Sequence, residues 1–257
     1  MKMPPLLLSA YLCFALVAVA RTFPPVLLSA DLENHGSGSE IEKKLPQHYA
    51  LYVAPYNEFG SVAAGGEKPP SIETIAQIVQ AALPSERFVP IASKSDTPDT
   101  VIAIHWGEVS PRGPQPFIGA REGGVVNPIW AIGVGRTHVK PFLLPSQRSD
   151  LYEELGRDRF YLVISSYDPT ALRQGKVSIR WQTRTSVDSI QVTAGQAWGY
   201  LAGVAQTNLA KLIDRPALIP DAPSVAPATS GSALLPIDDV IPGATRLLTF
   251  EKATPPF

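Results

Sequence analysis

Cysteine is all but absent from this chain of 257 residues: Cys13 is the only one. A lone cysteine makes no disulfide within the chain and leaves no cysteine-built metal site. Excess charge of one sign is lacking too. With 22 Lys and Arg against 23 Asp and Glu, the formal net charge is −1, which gives no reason to expect nucleic acid or an anionic membrane as partner. The short signatures of common chemistries are also missing, because no H-E-x-x-H, G-x-S-x-G or G-x-x-x-x-G-K-[ST] occurs. "GVGR", from Gly133 to Arg136, keeps the G-x-G of a phosphate-binding turn without its third glycine. His35, His48, His105 and His138 are far apart in sequence, so no metal or other cofactor is expected.

What the chain does have begins with one apolar run. "MKMPPLLLSAYLCFALVAVARTFPP" carries Lys2, then an apolar stretch from Leu6 that ends in Ala18-Val19-Ala20. This is the order of a secretory signal peptide, basic start, apolar centre and small-x-small cleavage site, with the cut after Ala20. A membrane anchor is the competing reading, but the run falls below the roughly 20 apolar residues that cross a bilayer. Lipidation of Cys13 is the third, and Ala10-Tyr11-Leu12 lacks the small residue that should directly precede it. If residues 1–20 are removed, the mature chain has no cysteine, and thiol catalysis goes with it.

The remainder divides into a body and two edges. Hydrophobic content of 45% with 18% charged residues suits one globular core. Residues 21–45 read as a linker around "ENHGSGSE", and residues 214–257 as a proline-rich arm without helical or strand period. The 26 prolines are about twice the usual share of roughly 5%, and many lie in that arm. Its late apolar run, "TRLLTFE", is a candidate to return as an edge strand or to dock on the body.

Within the body, residues 46–213, "HYALYVAP" alternates as a strand. "PPSIETIAQIVQAAL" reads as a helix with Ser71 as its cap, an apolar face of Ile72, Ile75, Ile78, Val79 and Ala82, and Pro84 as its stop. "RFVPIA" and "DTVIAIHWGEV" supply a short and a longer strand. Residues 110–149 mix apolar clusters with glycine and proline, with one short element near Ile129 to Val134. "SQRSDLYEELGRD" then resembles a short helix ending at Gly156.

"DRFYLVISSYDPTALRQGKVSIRWQTRTS", residues 158–186, holds two alternating runs. Val177, Ile179 and Trp181 are expected to face inward, with Ser178, Arg180, Gln182 and Arg184 on an outer, solvated face. Asp168 ends the first run. With Pro169 at the first helical position and Gly175 at a left-handed exit, it is explained as a helix cap rather than as a catalytic carboxylate. "TAGQAWGYLAGVAQTNLAKLI" gives a second long helix, with Thr193 as a cap. Its Gly195, Gly199 and Gly203 fall four apart, a spacing that suggests close packing against a sheet. The fold class expected is therefore α/β (α+β): a mixed or largely antiparallel sheet with two main helices on one face, flanked by loop-like arms.

The combination of leader, "PPSIETIAQIVQAAL", "DTVIAIHW" and the 158–186 hairpin resembles uncharacterised secreted proteins of Gram-negative bacteria. Its layout is similar to that of envelope lipoproteins of unknown function, through the Ile179-Arg180-Trp181 pattern. The resemblance spans residues 47–210 and implies an exported α/β domain; the missing lipobox departs from the lipoprotein pattern, and no catalytic residue carries over.

Two functional expectations follow. The first is an exported, periplasmic or extracellular binding or accessory module that is not an enzyme, contacts an envelope protein partner, and has no membrane span in the mature chain. The second is a secreted hydrolase or small-ligand-binding protein, with its site near His105 and Glu108 on the "IHWGE" strand and Arg121 and Arg136 in the 110–149 loops. Alternation along that strand puts His105 and Trp106 on opposite faces, with Glu108 on the face of Trp106.

Overall fold

The computed structural model describes residues 24–32, 46–59, 68–110, 157–211, 213, 217–221, 223–228 and 234–249. Strands β1 (Val26–Leu32), β2 (Gln47–Val53), β3 (Asn57–Phe59), β4 (Phe88–Pro90), β5 (Thr100–Val109), β6 (Arg159–Tyr167), β7 (Ile179–Asp188) and β8 (Ala217–Ile219) form one mixed sheet. Its order is β4-β2-β5-β6-β7-β1-β8, with β3 pairing β5 beyond the end of β2. The β4-β2-β5 side is parallel and the β5-β6-β7-β1-β8 side antiparallel. Five helices accompany it among the described residues: α1 (Ile72–Ala82), α2 (Pro169–Arg173), α3 (Ala194–Gln206), α4 (Ile237–Val240) and α5 (Ala244–Leu247). This is the α+β class the pattern of elements predicts.

Helix α1 begins where Ser71 Oγ accepts the Thr74 amide at 3.2 Å, with Glu73 in the first turn favoured by the helix dipole. Ile75, Ile78, Val79 and Ala82 are buried, while Ile72 stays on the rim. Helices α1 and α3 pack together on one face of the sheet. The core there gathers Ile102, Ile104, Trp106, Phe160, Leu162, Ile164 and Trp181 against Ile75, Val79, Trp198, Leu201 and Val204. Strands β5 and β6 are covered on both faces, which is why they read as near-continuous apolar runs.

The edges take a larger part than their composition suggests. Residues 26–32, expected within a linker, form β1 and lie between β7 and β8. The proline-rich arm supplies β8, then an extended stretch, residues 223–228, that lies on the outer side of α3, and then α4 and α5, which pack on the opposite face of the sheet. There Ile237, Ile241, Ala244, Leu247 and Leu248 complete a second core with Ala50, Val101, Ala103, Tyr167, Leu172 and Ile179. Leu247 and Leu248 of the late apolar run dock here, at the end of α5, rather than pairing as a strand.

Two sequence expectations about strand faces are corrected. A bulge sets Tyr167 opposite Ile179 and Ser166 opposite Trp181, so Arg180 is an extra residue on β7. The register shift places Ile179 in the second core and Trp181 in the first, instead of on one face. Gln182 and Arg184, expected in solvent, are only 2% and 3% exposed. Gln182 Nε2 donates to Ser165 Oγ at 2.7 Å and its Oε1 accepts from Arg184, so the polar row of β7 forms a buried network across the sheet. The small residues of α3 are also reassigned. A Cβ on Gly203 would lie 1.8 Å from the Pro223 carbonyl oxygen, and one on Gly199 would lie 2.7 Å from Val225 O. These two glycines admit the 223–228 main chain, not the sheet, and Val225 donates its amide to Gly199 O at 2.9 Å. Thr193 occupies the cap position of α3 without a side-chain capping bond.

Candidate functional site

The site begins at the end of β5. Alternation along the strand carries Ile102, Ile104, Trp106 and Glu108 to the face of α1 and α3, and Val101, Ala103 and His105 to the face of α4 and α5. His105 and Glu108 therefore do not converge.

His105 is fully buried. Its Nε2 donates to the Leu248 carbonyl oxygen at 2.8 Å, and its ring meets Tyr52 edge-on at 6.4 Å between centroids. Burial drives its pKa down to about 4 against the modest opposing effect of the Leu248 bond, so the ring is neutral at neutral pH. The histidine fastens the arm to the sheet. Arg121 and Arg136, the other basic members of the expected site, lie outside the described residues, as do the elements expected near 129–134 and 146–156.

Glu108 stands at a more open end. The register pairs it with Glu58 on β3 and with Phe160 on β6. Burial pushes its carboxyl pKa up, the neighbouring charges of Asp158 and Glu58 add to that, and a hydrogen bond with Ser189 opposes it. The Tyr56 phenol is raised as well, first by burial and then by Glu108 and Glu58. Beneath this group lies an aromatic floor. Tyr56 packs edge-on against Trp106 at 5.0 Å, Trp106 against Trp198 at 5.1 Å, and Phe160 against Trp198 at 5.4 Å. Trp106 Nε1 donates to Ala54 O at 2.8 Å, which fixes the loop that carries Tyr56.

Gly107 makes this arrangement possible. A Cβ there would lie 1.8 Å from the Asn57 carbonyl oxygen, so only glycine lets β3 close on β5 and bring Glu58 beside Glu108. The sequence marked Glu108 but neither Glu58 nor Tyr56, because "YNEFG" carries no strand pattern strong enough to place it. Chemically, the group offers a half-buried carboxyl with raised proton affinity beside an exposed carboxylate, a phenol and a hydroxyl. Such a carboxyl suits proton donation or the binding of a polar ligand.

A second polar cluster joins residues remote in sequence at the other end of the sheet. Asp99 Oδ2 accepts the His48 amide at 2.9 Å and lies 3.4 Å from His48 Nδ1. Arg180 donates to Asp99 O at 2.6 Å and sits 3.5 Å from Asp168 Oδ1. Asp168 itself accepts the amides of Thr170 at 2.7 Å and Ala171 at 3.4 Å, the cap its sequence context predicts. These contacts tie the start of β5 and the start of α2 to β7.

Among the described residues no group of three or more His, Cys, Asp or Glu side chains is placed to hold a metal ion. No helix among them is long and apolar enough to cross a membrane. No protein-family model matches this chain, and no curated protein or solved structure matches it at a significant level.

Proposed function

We propose that this chain is an exported binding or accessory module that works in the periplasm or outside the cell against an envelope protein partner. The leader-like N-terminus supports export, and a cut after Ala20 leaves every described element in place, since β1 starts at Val26. The observation that carries the binding role is the division of duties on β5. His105 is buried against Leu248, whereas the Tyr56, Glu58 and Glu108 end of the sheet is a polar surface open for contact. The test is co-purification of C-terminally tagged protein from the envelope and medium of its host after mild crosslinking, with the N-terminus of the recovered chain read by mass spectrometry. A stoichiometric protein partner and a chain starting at Arg21 are the expected results. Recovery as a lone species with its first 20 residues intact would overturn both halves of the reading.

One observation favours a second reading, a secreted hydrolase or small-ligand-binding protein. Glu108 has its proton affinity raised by burial and by the carboxylates around it, an environment that acid–base sites use. This reading keeps Glu108 from the expected site and replaces His105 by Glu58 and Tyr56 as its neighbours. Activity or ligand binding abolished in Glu108→Gln but kept in His105→Gln would favour it over the first.

A further inference from the structure

We propose that α4 and α5, residues 237–248, form an acid-released cap: protonation of His105 drives them off the sheet while the core beneath α1 and α3 stays folded. The cap has its own frame. Asp238 Oδ1, on α4, accepts the Thr245 amide of α5 at 2.9 Å, so the two short helices move as one piece. Its inner side, Ile237, Ile241, Ala244, Leu247 and Leu248, closes the second core, whereas α1 and α3 build the first core on the other face of the sheet. The two cores are separate clusters, and a unit that belongs to only one of them can open without the other. Opening bares the apolar face of Ala50, Val101, Ala103 and Ile179.

His105 lies in the seam between sheet and cap, wholly buried, with Nε2 bonded to Leu248 O at 2.8 Å. The titratable and charged groups around this seam are Tyr52 on β2, Tyr161 on β6, Asp238 and Asp239 on α4, Arg246 on α5 and, one strand beyond Val163, Arg184 on β7. Asp238, Asp239 and Arg246 are exposed at the surface of the cap, while Tyr52 meets the ring edge-on from inside. A charged imidazolium is poorly accommodated in so dry a seam, and burial outweighs the help of the Leu248 bond, which sets the ring's pKa at about 4 against an ordinary 6.5. With the cap off, the ring meets water and titrates near the ordinary value. The open form therefore takes up a proton that the closed form refuses, and opening is favoured as pH falls from about 6.5 to about 4.

The experiment is hydrogen exchange of the full chain read by mass spectrometry from pH 7 to pH 3.5, corrected for the pH dependence of the exchange chemistry itself. Peptides covering 237–248 should lose protection by on the order of a hundredfold between pH 7 and pH 4, the factor that follows from the two pKa values of His105. Peptides of α1 and α3 should keep theirs. His105→Gln retains a hydrogen-bonding side chain without the titrating charge and should hold the protection of 237–248 constant, while Asp238→Asn should follow the native protein. Equal loss in the cap and in α3 overturns the proposal, because acid then unfolds the whole chain, and so does a cap whose protection does not change with pH. These two results are read on the native protein, so the proposal stays open to refutation even where His105→Gln does not fold. A folded His105→Gln that loses protection as the native protein does, or an Asp238→Asn that no longer does, overturns the assignment to His105.

Discussion

His105 Nε2 donates to Leu248 O across 2.8 Å, joining the interior strand β5 to a residue 143 positions later than His105. The bond itself favours the protonated ring, but burial outweighs it and keeps the ring neutral. Unfolding frees the ring to titrate near its ordinary value of 6.5, whereas in the folded protein its pKa is about 4. The unfolded chain therefore binds more protons between these values, and stability falls as pH drops from about 6.5 to about 4. The contribution of this one group is on the order of 3 kcal/mol. Urea midpoints measured across that window should slope upward with pH in the native protein and lose this component in His105→Leu. Equal slopes in the two proteins would show that His105 does not set the dependence.

The glycines of α3 make opposite predictions within one helix. Gly203→Ala places a methyl group against the Pro223 carbonyl oxygen and should cost about 1–3 kcal/mol, with faster proteolysis between 223 and 228. Gly195 has no atom within 4 Å of its would-be Cβ. Gly195→Ala should be neutral or stabilise by up to about 1 kcal/mol, because alanine restricts the unfolded chain and favours helix. Thermal melts of the two variants together separate the close-approach argument from a general effect of helix propensity.

Asp168→Ala should cost about 1 kcal/mol, the usual loss for a helix N-cap. The partly exposed Arg180 contact adds little. Differential scanning calorimetry gives the stability change. Partner recovery in the crosslinking experiment should be unaffected, and a loss of recovery at unchanged stability would return Asp168 to the functional candidates.

Glu108→Gln should raise stability at neutral pH. Folding lifts the carboxyl pKa above its unfolded value, so the ionised group is less favourable in the folded state and its penalty grows as pH rises through the folded pKa. The amide keeps the shape and removes the charge beside Glu58 and Asp158. A gain in denaturant midpoint at pH 7 that disappears in acid is the expected signature. A loss of stability at pH 7 would mean that the carboxylate makes favourable contacts that outweigh the repulsion.

Local signals in the sequence were legible where short-range physics decides structure. Ser71, Asp168, Pro169 and Gly175 lie within a few residues of the amides or turns they serve, and their roles follow from that neighbourhood. The alternation of β5 likewise places Trp106 and Glu108 on one face. What could not be read depended on distant pairing. The extra residue at Arg180 is defined only against Ser166 and Tyr167, and the burial of Gln182 and Arg184 only by how the rest of the chain covers them. "VLLSADL" looked like part of a loop because its flanks are rich in proline and glycine, yet its partners are β7 and β8. The candidate site was half visible for the same reason. Glu108 was found, whereas Glu58 and Tyr56 reach it through the close approach at Gly107, and His105, on the opposite face by alternation, is covered by Leu248 of the arm.

The place of β1 has a consequence for how the chain comes together. Leu28 pairs with Thr185, 157 positions later by the difference of their numbers, and on its other side with Ala217. A chain made from its N-terminus thus carries its first strand without either neighbour until most of the protein has emerged. Closing so long a loop is slow relative to local pairing, so the antiparallel β5-β6-β7 segment has time to form before β1 arrives. Among the described strands, the earliest synthesised is thus among the last to find its place, and the sheet stays incomplete through most of synthesis.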